Sequence, residues 1–213
     1  MKKLALIPLL TFCGTAYGEI SKVTINKAWK RITKADNFPR ISITYEKDSE
    51  PNAWVKSDGG GNFSVHVTKG LMRMLDTEDE IAGVLGHELG HIQLGHYESL
   101  SVPEYGTGIN SDIAANFEGV YGEGELSAGE EIEADDYGVN LLRKARYNPR
   151  GLYDAMMKIA AKGYVRRPSG FMSGTVSRER LTNAAEKAGI SYCIKADSLI
   201  GMDEVAEIMR GKK

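Results

Sequence analysis

A chain of 213 residues carrying 27 Lys and Arg against 29 Asp and Glu lacks the basic excess of a nucleic-acid binder, and Arg166-Arg167 is too short a run to supply one. Its length suits one compact domain with a real core. Two cysteines in the whole chain exclude a disulfide-rich scaffold, so any staple has to be a metal ion.

The chain opens with Lys2-Lys3, an apolar run from Leu4 to Phe12, and Ala16-Tyr17-Gly18 before Glu19. A basic start, a short apolar middle and a small-x-small end predict a secretory signal peptide over residues 1–18, leaving one domain over 19–213. The run is too short to span a bilayer. Phe12 is too bulky for the residue preceding a lipoprotein cysteine, so anchoring through Cys13 is not expected. Cleavage removes Cys13 and leaves Cys193 alone. No later segment is apolar enough to span a membrane, and the expected address is a bacterial periplasm.

Residues 21–35 carry Val23, Ile25, Ala28, Trp29 and Ile32 among lysines, the pattern of an amphipathic helix. Strands are predicted from Arg40 to Glu46, Ala53 to Lys56 and Phe63 to Thr68, the last two joined by the turn Asp58-Gly59-Gly60-Gly61-Asn62. Those glycines lack the Lys-Ser/Thr that a phosphate-binding loop needs. From residue 70 the pattern turns helical: Leu71 to Leu75, then 78–97, opened by the capping box Thr77-Glu78-Asp79-Glu80. A Gly-rich polar stretch over 99–127, with one weak helix from Asp112 to Val120, reads as a flap over a cleft or a surface insertion. Further helices are predicted from Ser127 to Arg146, from Asn148-Pro149 to Gly163, from Ser177 to Gly189 and from Asp203 to Arg210. Helix, then strands, then helices gives an α+β class.

The chemistry centres on His87-Glu88-Leu89-Gly90-His91. Two histidines four apart on a helix stand about 40° apart on one face, where both can ligate one metal ion. They point away from the apolar stripe of Ile81, Leu85, Leu89 and Ile92, which argues against a core origin and leaves a solvated helix face as the bland alternative. A catalytic zinc site uses three protein ligands and an open position, so a third must lie downstream. His96 stands nine residues from His87, about 180° round the helix, and is expected at a surface or helix end; His66 lies in a strand without a sequence partner. The acidic run from Glu130 to Asp136 supplies the ligand. Glu131 and Asp135 share a face with Gly138 and Leu142, so Glu131 is the candidate ligand and Asp135 its companion, accepting the second N–H of a ligating histidine. Glu130, Glu133 and Asp136 are explained by a solvated helix N-terminus. Gly83, Gly86 and Gly90 lie beside the histidines, where Gly138 could meet them backbone to backbone and bring Glu131 within reach. One zinc ion on His87, His91 and Glu131 would bring a water's pKa to about 7, and Glu88 would take that water's proton as it attacks a peptide carbonyl.

These motifs resemble the HtpX-like and Ste-type zinc peptidases, metallopeptidase family forty-eight, of the gluzincin kind. The resemblance rests on His-Glu-Leu-Gly-His at 87–91 and Glu-Ile-Glu-Ala-Asp at 131–135. Pro51-Asn52-Ala53 resembles the family's edge strand, Val67 to Leu71 its strand-to-helix step, and Tyr147-Asn148-Pro149 its Gly-Tyr-x-Pro turn. It implies a zincin-like single domain, a small antiparallel-edged sheet packed on several helices including the metal-binding one. It also implies polypeptide substrates held by β-addition to Asn52, Ala53 and Trp54. Where the family commonly carries His-Pro ahead of Glu-Arg, this chain has Gly174-Thr175 ahead of Glu179-Arg180. Arg180 is therefore a candidate for an oxyanion or structural role, or else a helix-surface arginine. The expected activity is zinc endopeptidase action on loosely folded or damaged envelope proteins, with soluble substrates or peripheral membrane or envelope-protein contact. The alternative is a chaperone-like or assembly factor that uses the domain for binding.

Overall fold

The structure, a computed structural model, describes residues 19–58, 61–96, 126–161 and 176–190. The leader at 1–18, the 99–127 stretch up to residue 125, Gly174-Thr175 and the helix expected over 203–210 lie outside the described residues.

Ser21 caps α1 (Lys22–Ala35), whose Ile25, Ala28, Trp29 and Ile32 are buried as their spacing requires. Strands β1 (Ser42–Glu46), β2 (Ala53–Ser57) and β3 (Phe63–Thr68) form a sheet of order β1-β3-β2. β2 and β3 are the expected hairpin, paired antiparallel with Ala53 opposite Val67, whereas β1 runs parallel to β3. Period-2 alternation sends Ala53, Val55, Val65 and Val67 into the core. β3 passes straight into α2 (Lys69–Met74), because the Thr68 hydroxyl caps that helix by accepting from Leu71 N–H.

Helix α3 (Glu78–Gln93) carries the complete Thr77/Glu80 capping box. It is the axis of the molecule, contacted by α1, by β2 and β3, and by α4 (Ala128–Lys144) and α5 (Gly151–Ala161). All residues from Glu80 to His91 are buried. The histidine face is therefore enclosed, which disposes of the bland alternative of a solvated helix face: α4 lies across it while the apolar stripe packs on the other side. α4 begins with the expected Ser127/Glu130 box, and α6 (Arg178–Ala188) is capped by Ser177 and packs on α4 and α5.

α3 also ends earlier than residue 97. Gly95 takes φ 72; its N–H bonds Ile92 O at 3.2 Å, and the His96 N–H bonds His91 O at 3.1 Å. That pair of bonds is a Schellman stop. The same turn ends α4 with a non-glycine residue in the left-handed position, Arg146 at φ 58. Among the described residues no helix is long and apolar enough to cross a membrane.

Candidate metal centre and active site

Three helices supply the site: α3 brings His87, Glu88 and His91, α4 brings Glu131 and Asp135, and α6 brings Arg180. All six are buried, Arg180 included at 2% exposure. Their meeting depends on the glycines. A Cβ built on Gly86 would lie 3.3 Å from Gly138 Cα, one on Gly138 2.9 Å from His87 N, and one on Gly90 2.9 Å from Ala134 O. With no side chain between them, the two backbones touch, and the short reach from α4 to the histidines follows. Gly83 does not share this contact. It faces the start of α5, where a Cβ would stand 2.5 Å from Leu152 N.

The histidine Nε2 atoms lie 3.0 Å apart. Glu131 Oε2 is 3.6 Å from His87 Nε2, and Glu131 Oε1 is 3.7 Å from His91 Nε2. Tetrahedral ligands at 2.0–2.1 Å from zinc are separated by about 3.3 Å, so these three donors fit one ion. The donor chemistry agrees. His87 Nδ1 is 2.8 Å from Asp135 Oδ1, an acceptor-only carboxylate, so Nδ1 holds the proton and Nε2 offers a lone pair inward. Charge agrees as well: among the described residues the buried carboxylates of Glu88, Glu131 and Asp135 face one buried guanidinium, Arg180, an excess of two negative charges that a divalent cation cancels.

Arg180 is not a surface arginine. Its Nε and Nη2 donate to Asp135 Oδ2 and Oδ1, each at 2.8 Å, and its Nη1 pairs with Glu131 Oε2 at 2.7 Å. A guanidinium engaged on two carboxylates is a brace for them, which favours its structural role over the oxyanion one. Burial by itself would raise the Asp135 pKa, but the Arg180 charge and hydrogen bonds, with His87, hold it below the usual carboxylate range. His91 is pushed far down, above all by burial, with the Arg180 charge acting in the same direction, so it stays neutral and able to ligate.

His96, expected at a surface or helix end, is buried, with its Nδ1 2.8 Å from His91 Nδ1 and its Nε2 3.3 Å from Glu133 Oε2. It does stand at the helix end, but because α3 stops at Gln93 and Gly95 turns the chain back, the 180° rotation of a continued helix does not apply and the ring returns against His91. Glu133, assigned to a solvated N-terminus, accordingly has a partner. Gly95, directly after the last turn, was the available signal for both. Asp136 likewise bridges to α6 through Asn183 and Lys187.

Ala53 and Trp54 begin β2 and Asn52 directly precedes it; β2 is an edge of the sheet among the described residues and lies against α3. Asn52 and Ala53 are buried and Trp54 is half-buried. His66, without a partner in sequence terms, has three here: Nδ1 is 2.8 Å from Glu46, Nε2 is 3.0 Å from Ser64 Oγ, and the ring stacks on Trp54.

An α+β fold that converges two imidazoles and a carboxylate beside a buried glutamate defines the class of zinc metallopeptidases. Peptidase family M48 matches residues 22–188. Metalloprotease YcaL of Escherichia coli K12 is 32% identical over 180 residues, 76% of this chain and 69% of that protein. Metalloprotease LoiP of the same strain is 31% identical over 141 residues, 59% of this chain and 56% of that protein. A protease HtpX homolog of Campylobacter hominis is 36% identical over 100 residues, 45% of this chain and 34% of that protein. The chain belongs to peptidase family M48 and carries its HtpX-like zinc metalloendopeptidase domain.

Proposed function

We propose that His87, His91 and Glu131 hold one zinc ion, and that Glu88 is the general base for peptide-bond hydrolysis at it. The convergence of the two Nε2 atoms and the Glu131 carboxylate within 4.8 Å of one another carries this reading. Zinc there supplies Lewis acidity, polarising the scissile carbonyl and acidifying a water. Glu88 removes the proton of the attacking water and delivers it to the departing amine. Asp135 keeps His87 in the ligating tautomer, and Arg180 keeps Asp135 charged. The β2 edge at Asn52 to Trp54 takes a substrate segment as an added strand, which orients its backbone above α3.

The substrates proposed are loosely folded or damaged envelope proteins, since a segment must be extended to add to an edge strand. The basic, apolar and small-residue pattern of residues 1–18 supports export to a periplasm. Glu88→Gln tests the chemistry. The variant should retain zinc and lose cleavage of an unfolded casein-like substrate. Equal cleavage by variant and wild type removes Glu88 from its role, whereas rescue of an envelope defect by Glu88→Gln favours the binding-factor alternative.

A further inference from the structure

We propose that His96 is a positioning residue for metal capture: it locks His91 in the tautomer that can ligate, and Glu133 in turn locks His96. The inference rests on the zinc-ligand reading above and adds a component outside the ligand set.

The proton positions follow from the partners. For His91 to offer Nε2 as a ligand, its proton must sit on Nδ1. The atom facing that Nδ1 is His96 Nδ1, at 2.8 Å, which must therefore accept. A neutral imidazole that accepts on Nδ1 carries its proton on Nε2, and His96 Nε2 faces Glu133 Oε2 at 3.3 Å, a carboxylate that can only accept. The chain His91→His96→Glu133 thus has one consistent direction, and in it His91 Nε2 is a lone pair aimed at His87 and Glu131. Reversing it puts the His91 proton on Nε2 and blocks ligation. His96 is not itself a ligand, since its Nδ1 meets the side of His91 turned away from the converging donors.

Charge gives a reason for an imidazole at this position where His87 has a carboxylate. Asp135, Glu131 and Glu88 with Arg180 already leave two buried negative charges. A carboxylate against His91 would add a third that a divalent ion does not cancel, while a neutral imidazole supplies the acceptor and adds none. The chain's negative end is placed where water screens it, on Glu133, whose side chain is 66% exposed. The turn at Gly95 that stops α3 also sets the His96 ring beside His91, centroids 5.1 Å apart.

The test is zinc affinity of the full chain by chelator competition, independent of peptidase activity. His96→Ala and His96→Leu should bind zinc 10–100-fold more weakly than wild type, the range of a lost outer partner. His96→Asn, whose amide oxygen can accept from His91 Nδ1, should recover most of the loss. Wild-type affinity in His96→Leu, or His96→Asn as weak as His96→Ala, overturns the proposal. Nitrogen-15 NMR of the zinc-loaded wild type needs no variant: the His96 proton should be on Nε2, and a proton on His96 Nδ1 overturns it. Retention of zinc by His91→Ala or Glu131→Ala would instead strike the ligand reading itself, so the two failures are separable.

Discussion

Arg180 holds Asp135 through both carboxylate oxygens, Nε to Oδ2 and Nη2 to Oδ1 at 2.8 Å each, and Asp135 in turn meets His87 Nδ1 at 2.8 Å. A residue on α6 thereby fixes the imidazole of a residue on α3 through a carboxylate on α4. Removing one member of a buried ion pair costs about 3–5 kcal/mol, because the other charge is left uncompensated. Arg180→Met should therefore unfold at lower urea in the presence of chelator, and should bind zinc more weakly. Arg180→Lys keeps the charge but not the planar fork, and is expected to recover only part of either loss. If Arg180→Met matches wild type in both measurements, the brace has no role.

The contact of α3 with α4 makes a sharper test, because two glycines in the same helix differ in surroundings. A Cβ on Gly138 would meet His87 N at 2.9 Å and Gly86 C at 3.2 Å, whereas one on Gly129 meets nothing closer than Ser127 Oγ at 3.8 Å. Gly138→Ala should destabilise by about 1–3 kcal/mol through overpacking and should weaken zinc binding by moving Glu131 away. Gly129→Ala should stabilise by about 0.4–1 kcal/mol, since alanine loses less conformational freedom on folding. Denaturation midpoints for the pair check both signs at once.

How far the sequence reveals this molecule depends on whether a contact is local. His87, His91, Glu131 and Asp135 are legible because each pair is set by the period of one helix, and the caps at Thr77 and Ser127 are legible because each is a four-residue signal. The close pass of Gly86 and Gly90 against Gly138 and Ala134 was readable from glycines in a helix interior, which require a compensating reason. The contact of Arg180 with Asp135 spans 45 residues of chain, and no periodicity links them. The parallel pairing of β1 with β3 is hidden for the same reason. His96 stands at the helix end, but its burial against His91 is not legible from helix periodicity, because the backbone has left the helix at Gly95.

Arg146 occupies the left-handed end position of α4 at φ 58 with an exposed side chain. An L-residue there incurs about 1–2 kcal/mol of strain, partly offset by the smaller entropy loss of a non-glycine residue. Arg146→Gly should raise stability by about 0.5–1 kcal/mol. The Arg146 carbonyl, which accepts from Arg31 Nη2 at 2.7 Å, is kept. Asn37 holds the corresponding position after α1 at φ 54; asparagine tolerates that region, so Asn37→Gly should change little. A thermal midpoint that falls in Arg146→Gly contradicts the argument.

Asp36 joins α1 to α4. Its carboxylate accepts from Lys144 Nζ at 2.6 Å and from the Tyr137 hydroxyl. Those hydrogen bonds, Lys144 first, hold its pKa below the ordinary carboxylate value. A folded pKa below the unfolded one stabilises above the unfolded value, and that stabilisation is lost as pH falls through the folded one. Asp36→Asn should therefore be less stable than wild type at neutral pH, and the gap should close as pH drops below about 4, near the unfolded carboxylate value. Midpoints across that range read it directly; a gap that widens on acidification reverses the sign and removes the assignment.

Zinc itself should govern stability through the two uncancelled negative charges left by Glu88, Glu131, Asp135 and Arg180. A ligand that binds only the folded state at a hundred times its Kd adds about 2.7 kcal/mol. For a chain of this size that raises Tm by about 5–11 °C, at roughly 2–4 °C per kcal/mol. Chelation should lower Tm by that amount, and added zinc should restore it in wild type but not in Glu131→Ala. Magnesium separates site binding from general charge screening, because it prefers oxygen ligands in octahedral geometry and is poorly served by two imidazoles. Magnesium at the same concentration should leave Tm unchanged. If it replaces zinc fully, the stabilisation comes from screening of acidic groups at large, and the His87, His91 and Glu131 convergence is not its source.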